Sequence, residues 1–176
     1  MDICCVVTGV LDENCYVIKK NGTCLIVDPG DDYLKIKKEI GDNKIIGILI
    51  THSHFDHVGA LRHFLGRRGL KIFKRSISSE GIHEVGDFKF EVIYTPGHAK
   101  DLVSFYFPDE KVMFDGDFVF KESIGRCDLP GGSVEEMKKS LQKLLKYDSD
   151  IVLYPGHGDK TTIGYEQKNN IYIKEF

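Results

Sequence analysis

The sequence lacks the long apolar runs of a membrane protein and the basic surplus of a nucleic-acid binder. Its apolar stretches, such as residues 24–27 and 45–50, are far shorter than the ~20 residues that a membrane-spanning helix needs. The 24 Lys and Arg are outnumbered by 27 Asp and Glu, for a formal net charge of -3. This balance disfavours nucleic-acid and anionic-membrane partners, so we expect a small-molecule partner, no nucleic acid and no membrane.

Cysteine is also sparse, with five residues in 176 and no CxxC pair. An odd number without such pairs predicts neither a disulfide framework nor a structural zinc site, and we interpret most cysteines as buried thiols without a role in catalysis. The first residues contain no basic segment followed by a cleavage signal, so we expect no secretory signal peptide and a cytoplasmic location. Composition and length are ordinary for one globular domain over residues 1–176.

Short strands dominate the predicted secondary structure, and helices separate some of them. Strands are predicted over residues 3–10, 15–19, 23–27, 45–50, 70–73, 88–94, 102–107, 112–114 and 151–154. Asn21-Gly22 is a two-residue hairpin signal, and Asp31 is predicted to cap a helix over 32–40. A second helix is predicted over about 58–65, and a third, capped by Ser133 with Glu136, extends to about 147.

A cluster of histidines begins where the strand over 45–50 stops. Within six residues the chain places His52, His54, Asp56 and His57. Strand-like alternation would point His52 and His54 the same way, while a following turn lets Asp56 and His57 converge from another direction. This spacing predicts metal ligands.

Three further ligand candidates share one local pattern, an apolar strand followed by a glycine and then the polar residue. They are His98, Asp117 and His157. Glycine permits the tight turns that aim such side chains into a pocket at the strand ends. Five histidines and two aspartates suit Zn(II), Fe(II) or Mn(II) and are too many for one tetrahedral ion, so we predict two metals.

The other histidines and a nearby acid have plainer interpretations. His63 and His83 lack such neighbours, and we interpret them as a helix-surface and a loop residue. Asp115 could orient a ligand or cap a turn. Arg126 and Lys100 follow the motif loops and are either contacts for a substrate carboxylate or solvated charges, and the roles of Tyr16 and Tyr94 are equally open.

At these residues the sequence resembles the metallo-β-lactamase superfamily, whose HxHxDH motif is matched by residues 52–57 and is followed by His98, Asp117 and His157. The closer likeness is to small glyoxalase II-like (hydroxyacylglutathione hydrolase-like) members, through ENCY at 13–16, VDPG at 27–30, GRCDLPGG at 125–132 and GHG at 156–158 with TTIG at 161–164. The resemblance implies an α/β fold, a four-layer αβ/βα sandwich with the metal site at one edge.

The resemblance also implies a role for each candidate ligand. His52, His54 and His98 would hold one ion, Asp56, His57 and His157 the other, and Asp117 would bridge them. Asp56 and Asp117 would be the catalytic carboxylates, with Asp56 fixing both metal and water. Two divalent ions are expected as cofactors, with zinc first and iron or manganese as alternatives.

The implied reaction is hydrolysis of a small thioester, of the S-lactoylglutathione kind, by a hydroxide that bridges the metals. Full-length glyoxalase II enzymes carry a C-terminal helical region that contributes to glutathione binding, and the sequence after His157 does not match it, so glutathione recognition stays open. The alternatives are a persulfide dioxygenase with one Fe(II), a lactone or ester hydrolase on the same site and a non-enzymatic, metal-stabilised binding protein. Oligomeric state is left open.

Overall fold

Two mixed sheets form the centre of the molecule in a computed structural model, which describes residues 1–175. The first sheet has the order β1-β2-β3-β4-β5, with β1 to β3 antiparallel and β3 to β5 parallel. Its strands are β1 (Asp2–Thr8), β2 (Glu13–Lys20), β3 (Thr23–Val27), β4 (Lys44–Leu49) and β5 (Lys71–Phe73). Helix α1 (Tyr33–Ile40) connects β3 to β4, and the one-turn helix α2 (Phe55–Val58) and a 3₁₀ turn (Leu61–His63) follow β4.

The second sheet has the order β13-β12-β9-β8-β7-β6. Its strands are β6 (Gly81–Val85), β7 (Phe88–Tyr94), β8 (Val103–Phe107), β9 (Val112–Gly116), β12 (Val152–Pro155) and β13 (Thr161–Thr162). A small hairpin of β10 (Val119–Phe120) and β11 (Ser123–Ile124) and helix α3 (Val134–Leu144) lie between β9 and β12, which pair in parallel. Helices α4 (Ile163–Asn169) and α5 (Ile171–Glu175) complete the described chain.

The inner core lies between the facing sheets, and most of its phenylalanine rings come from the second sheet. The second sheet supplies buried rings at every other strand position, including Phe88, Phe90, Phe105, Phe107 and Phe114. The first sheet supplies aliphatic residues, including Ile18, Leu25, Val27 and Leu49. Because side chains alternate between faces, the phenylalanine rings of β7 and β8 all point to the first sheet.

Two outer cores complete a four-layer sandwich. Ile36 and Ile40 of α1 pack on the outer face of the first sheet, against residues such as Ile26. Met137 and Leu141 of α3 pack on the outer face of the second sheet. The predicted αβ/βα sandwich is therefore confirmed.

The predicted helix over 58–65 is wrong, because the backbone is diverted before it could form. Helix α2 begins earlier, at Phe55, and includes Asp56 and His57. The Ala60 amide then donates to the Gly30 carbonyl at 2.8 Å, so the chain is tied to the loop after β3. The apolar spacing that suggested a longer helix ends in a 3₁₀ turn.

Of four other local predictions, two are confirmed and two are wrong. The Asn21-Gly22 turn is confirmed with φ of 50° and 73°, and the Ser133 hydroxyl caps α3 by accepting from the Glu136 amide at 3.3 Å. The Asp31 cap is wrong, since Asp32 is the residue that precedes α1. The interpretation of His83 as a loop residue is wrong, because it lies on β6, an edge strand that was not predicted from its polar sequence.

Cysteine burial was overestimated. Cys15 and Cys24 are buried on strands, whereas Cys5 is exposed and Cys4 and Cys127 are half-buried. Cys4 and Cys5 lie on β1, which is the edge of its sheet and therefore has no strand beyond it. In the part of the chain that the structure describes, no helix is long and apolar enough to cross a membrane.

Candidate metal centre

The predicted ligands meet where strands of the two sheets end. The segment with His52 directly follows β4, whereas His98 lies between β7 and β8, Asp117 follows β9 and His157 follows β12. Loops at one edge of a rigid sandwich can place side chains from distant parts of the sequence together. All seven predicted positions lie in this one region, which is therefore the candidate metal centre.

Three histidines form the first group of potential ligands. His54 Nδ1 lies 3.1 Å from His52 Nε2 and 2.9 Å from His98 Nε2. Zinc–nitrogen bonds of about 2.0–2.1 Å in a tetrahedral site place neighbouring ligand atoms about 3.3 Å apart. The three nitrogens therefore have the spacing of ligands around one small ion.

Asp56, His57 and His157 form the second group. The Asp56 Oδ2 atom lies 3.3 Å from His157 Nε2 and 3.7 Å from His57 Nε2. His57 and Asp56 reach this position from helix α2, while His157 approaches from the far side. A second ion fits among these atoms.

Asp117 lies between the groups and faces both. Its Oδ1 is 3.3 Å from His57 Nε2, and its Oδ2 is 3.4 Å from His98 Nε2. Both His57 Nε2 and Asp117 Oδ1 are buried without a hydrogen-bond partner, an arrangement that is costly unless another group binds them. Divalent cations suit these nitrogen and oxygen donors, so the residues present fit two metals.

Glycine makes the close approach of the last ligand loop possible. A side-chain carbon added at Gly156 would lie 2.3 Å from Asp117 Oδ1 and 2.6 Å from His57 Cε1. Such distances are far below van der Waals contact, so residue 156 must lack a side chain if Asp117 and His57 are to stay in place.

Asp28 is a supporting residue that sequence reasoning missed. Its Oδ2 lies 2.9 Å from His57 Nδ1, and its Oδ1 accepts from the Thr51 amide at 2.7 Å. The Thr51 hydroxyl also donates to Asp28 and lies 3.0 Å from His52 Nδ1. Asp28 thus fixes the ring of His57 from the side opposite the metal centre. Its position directly after β3, like the ligands after other strands, was the available signal.

Glu13 is a second buried acid behind His57. Its Oε1 lies 3.8 Å from His57 Nδ1 and has no hydrogen-bond partner, while its Oε2 accepts from the Thr8 hydroxyl at 2.7 Å. Burial and the neighbouring Asp28 raise the pKa of Glu13 to about 9. The carboxyl groups of Glu13 and Asp28 therefore both lie behind His57.

Backbone carbonyls support the two histidines from the later loops. His98 Nδ1 lies 2.8 Å from the Arg126 carbonyl, and His157 Nδ1 lies 3.0 Å from the Leu11 carbonyl. A carbonyl can only accept, so each Nδ1 carries the proton and each Nε2 is left free for a metal. His54 is the exception, since its Nδ1 faces the other ligands.

The hairpin that carries Leu11 is fastened to the loop that carries His157. The Asn14 side-chain amide donates to the Pro155 and Gly158 carbonyls, at 3.1 and 2.9 Å. The Asn14 backbone amide donates to the Gly156 carbonyl at 2.7 Å. Tyr16 donates its hydroxyl to Pro155 as well, at 2.6 Å, so its role is structural.

The pKa values of the candidate ligands shift in both directions. Burial opposes a charge on His57, but its interactions with Asp117 and Asp28 raise its pKa well above the usual value. Burial lowers the pKa of His52 well below its usual value and also lowers that of His54, so both rings are neutral, the form that binds a cation. Burial opposes a charge on Asp117, but the interaction with His57 outweighs burial and lowers the pKa of that carboxyl. Asp117 is therefore an anion.

The remaining candidates lie away from the centre or have structural partners. Asp115 is fully buried and accepts from the Val119 amide at 3.2 Å, which is the turn-capping alternative. Tyr94 donates to the Ser78 carbonyl at 2.7 Å. Lys100 lines a separate depression beside Gly97 and Ser133, and His63 stacks on a tyrosine of α1.

A cavity of about 590 Å³ opens in front of the metal centre. His54, Asp56, His98, Asp117 and His157 form its floor. The volume falls within the range of about 300–1,000 Å³ that small-molecule sites occupy. A substrate in this cavity would reach both groups of ligands.

Curated proteins are similar in sequence to this chain over nearly its whole length. Curated relatives include the "Probable metallo-hydrolase YqgX" of Bacillus subtilis, 31% identical over 96% of this chain and 95% of its own length. Another is the "Hydroxyacylglutathione hydrolase GloC" of Haemophilus influenzae, 30% identical over 98% of both chains.

Solved structures agree in fold. The BLEG-1 B3 metallo-beta-lactamase superposes with a TM-score of 0.92 at 28% identity, covering 98% of this chain and 99% of that one. TTHA1623, solved in a di-iron-bound form, superposes with a TM-score of 0.87 at 30% identity, covering 96% and 98%. The family model described as the metallo-beta-lactamase superfamily matches residues 8–80 and 75–157. The chain therefore belongs to the metallo-β-lactamase superfamily.

Proposed function

We propose that this protein is a metal-dependent hydrolase that cleaves small thioesters, with S-lactoylglutathione as the first substrate to test. The observation that carries the proposal is Asp117, whose two carboxylate oxygens face two separate groups of ligand atoms. The relative named as a hydroxyacylglutathione hydrolase, aligned over nearly the whole chain, supports the thioester class.

The seven side chains would divide the work of holding two divalent ions, with zinc expected first and iron or manganese as alternatives. The first ion would be held by His52, His54 and His98, the second by Asp56, His57 and His157, and Asp117 would contact both. When bound, two such cations lower the pKa of water toward neutrality and polarise a carbonyl.

The carboxylates that face the cavity have a further role. Asp56 and Asp117 can each accept a hydrogen bond from a water molecule in front of the ligands, and so orient its lone pair toward a substrate carbonyl. The Asp28 contact keeps His57 from rotating while this happens. We propose a small thioester as the partner of this site. We also propose a cytoplasmic location.

Metal removal and return is the direct test. Protein stripped by a chelator is assayed for thiol release from S-lactoylglutathione, before and after addition of Zn(II), Mn(II) or Fe(II). We expect no turnover without metal and restored turnover with at least one ion. Oxygen consumption with a persulfide, without thiol release from any thioester, would instead assign a dioxygenase, and lactone opening alone would assign a lactonase.

Asp117→Ala tests the two-metal arrangement. We expect the loss of an oriented ligand to lower kcat/KM at least about a hundredfold and to reduce the bound metal per chain. Asp159→Ala is the matched control, because Asp159 is an exposed aspartate paired with Lys121 at 3.7 Å and lies outside the metal centre. Unchanged turnover in Asp117→Ala would contradict the proposal.

A further inference from the structure

We propose that the cavity in front of the metal centre selects thioesters with uncharged, apolar groups over anionic glutathione thioesters. The inference rests on the proposed function and narrows its substrate. Two observations carry it: the side chains that line the cavity walls, and the pairing of the cation at its rim.

The walls of the cavity are apolar. Above the ligand floor they are formed by Leu11, Phe55, Phe120, Ile124 and Leu129. Leu11 is 50% exposed and Phe55 is 72% exposed, although folding normally buries side chains of this size. Exposed apolar groups that converge on a cavity indicate a binding site, because it is favourable for a ligand to bury them.

The apolar surface continues beyond the cavity mouth. Val10, which is 93% exposed, lies beside Leu11 and Phe55 on one side of an adjoining depression of about 140 Å³, whose lining also includes Thr8 and Asp31. A flexible apolar group could therefore start at the metal centre and follow the β1–β2 hairpin outward. Each methylene that it buries contributes about 0.8 kcal/mol, which corresponds to a factor of about four in affinity.

The cation at the rim is already paired. Arg126 is the one Lys or Arg that lines the cavity among residues 1–175. Its Nε and Nη2 atoms donate to the two carboxylate oxygens of Asp128, both at 2.7 Å. The pair is solvent-exposed and uses two of the five guanidinium N–H groups, so Asp128 offsets part of the charge that Arg126 presents to a ligand.

A glutathione thioester would place carboxylates against this surface. Lys100, the other basic candidate, lines a separate depression, so it does not meet a ligand in the cavity. Moving an ionised carboxylate from water to an apolar wall without a partner is unfavourable. A neutral thiol group avoids that penalty.

The test compares leaving groups and acyl chains on the zinc-loaded, full-length protein. S-hexanoyl-N-acetylcysteamine is neutral, S-hexanoylglutathione carries the same acyl group with charge, and S-acetyl-N-acetylcysteamine shortens the chain. We expect kcat/KM to be at least about tenfold higher for the neutral hexanoyl thioester than for either comparison compound. Equal or higher values for the glutathione thioester would overturn the inference.

Two variants test the apolar wall and the paired cation at the rim separately. Phe55→Ala should remove most of the advantage of hexanoyl over acetyl, whereas Ile82→Ala, at a 55% exposed position on β6 away from the cavity, should leave it unchanged. Asp128→Asn releases Arg126 and should raise kcat/KM for S-hexanoylglutathione about tenfold without a matching gain for the neutral thioester. Failure of Phe55→Ala to change chain-length preference would count against the apolar wall.

The two proposals fail in different ways. If no thioester releases thiol with any metal, the proposed function is wrong and this inference falls with it. If thioesters are hydrolysed but the charged thioester is preferred, the thioesterase stands and the selectivity for neutral groups is refuted. If Asp128→Asn leaves the preference unchanged, the pairing of Arg126 is refuted as a cause of that selectivity.

Discussion

The two halves of the sandwich build the metal centre in different ways. The half based on the first sheet supplies its ligands from one short segment, between His52 and His57. The half based on the second sheet supplies His98, Asp117 and His157 from three separate loops. The first set is positioned by local geometry, whereas the second set depends on strand pairing across the whole sheet.

Ligand support differs in the same way. In the first half an anionic side chain, Asp28, contacts His57 at 2.9 Å. Two histidines of the second half, His98 and His157, instead contact neutral backbone carbonyls, that of Arg126 and that of Leu11 in the β1–β2 hairpin. A carboxylate can be removed by substitution, but a carbonyl stays in every variant, so the first half is the one that mutation can weaken selectively.

Removing a ring from the inner core should have the largest effect, because the second half depends on it. Phe105 is fully buried on β8 and packs against the ring of Phe90. Phe105→Ala should lower the free energy of unfolding by about 3–5 kcal/mol, from lost burial and the cavity left behind.

Denaturant unfolding in the presence of chelator measures this change without a contribution from metal. Phe105→Leu is the control, since it keeps most of the apolar volume and should lose far less. A small loss in Phe105→Ala would mean that the sheet holds its three ligand loops without that packing.

Asp28→Asn should weaken metal binding in the first half by about 10- to 100-fold, the usual effect of losing a group that orients a ligand. Competition with a chromophoric chelator measures it. Asp31→Asn is the matched control, because Asp31 is an exposed aspartate in the same loop. Equal affinity in both variants would show that packing alone orients His57, and the contrast between the halves would disappear.

The smallest effect is expected at the cap of α3. Ser133→Ala removes the hydroxyl that accepts from the Glu136 amide and should lower the free energy of unfolding by about 1 kcal/mol. For a chain of this size that corresponds to a fall in Tm of about 2–4 °C, measurable by calorimetry. Ser133→Thr should retain the cap, and an unchanged Tm in Ser133→Ala would show that packing on the sheet fixes this helix by itself.

The candidate ligands could be chosen from the sequence because strand ends and glycines are local signals. The cluster from His52 to His57 is contiguous, and His98 and His157 repeat a short pattern, so each could be found without knowing the fold. Sequence reasoning also found α3, whose cap and apolar spacing agree. The four-layer topology came from the family resemblance, since strand order is set by contacts between distant residues.

What sequence reasoning missed depends on those distant contacts. Asp28 meets His57 across 29 positions of sequence, and its place directly after β3 does not indicate which ligand it contacts. The helix over 58–65 failed for the same reason, because the Gly30 carbonyl takes the Ala60 amide. The pairing of Arg126 with Asp128 is local but needs side-chain geometry, so a free cation could not be told from a paired one.

The fastening of Asn14 to the Gly158 carbonyl joins residues that are 144 positions apart. During synthesis from the N-terminus, the β1–β2 hairpin and the His52 to His57 segment leave the ribosome long before this partner exists. Contacts between residues so far apart in sequence form late in folding, because the entropy lost on closing a long loop precedes the favourable energy of the contact. We therefore expect a nascent chain to contain the four candidate ligands from His52 to His57 before the site is complete. The centre is completed only when the loop that carries His157 has been synthesised and has packed against the β1–β2 hairpin.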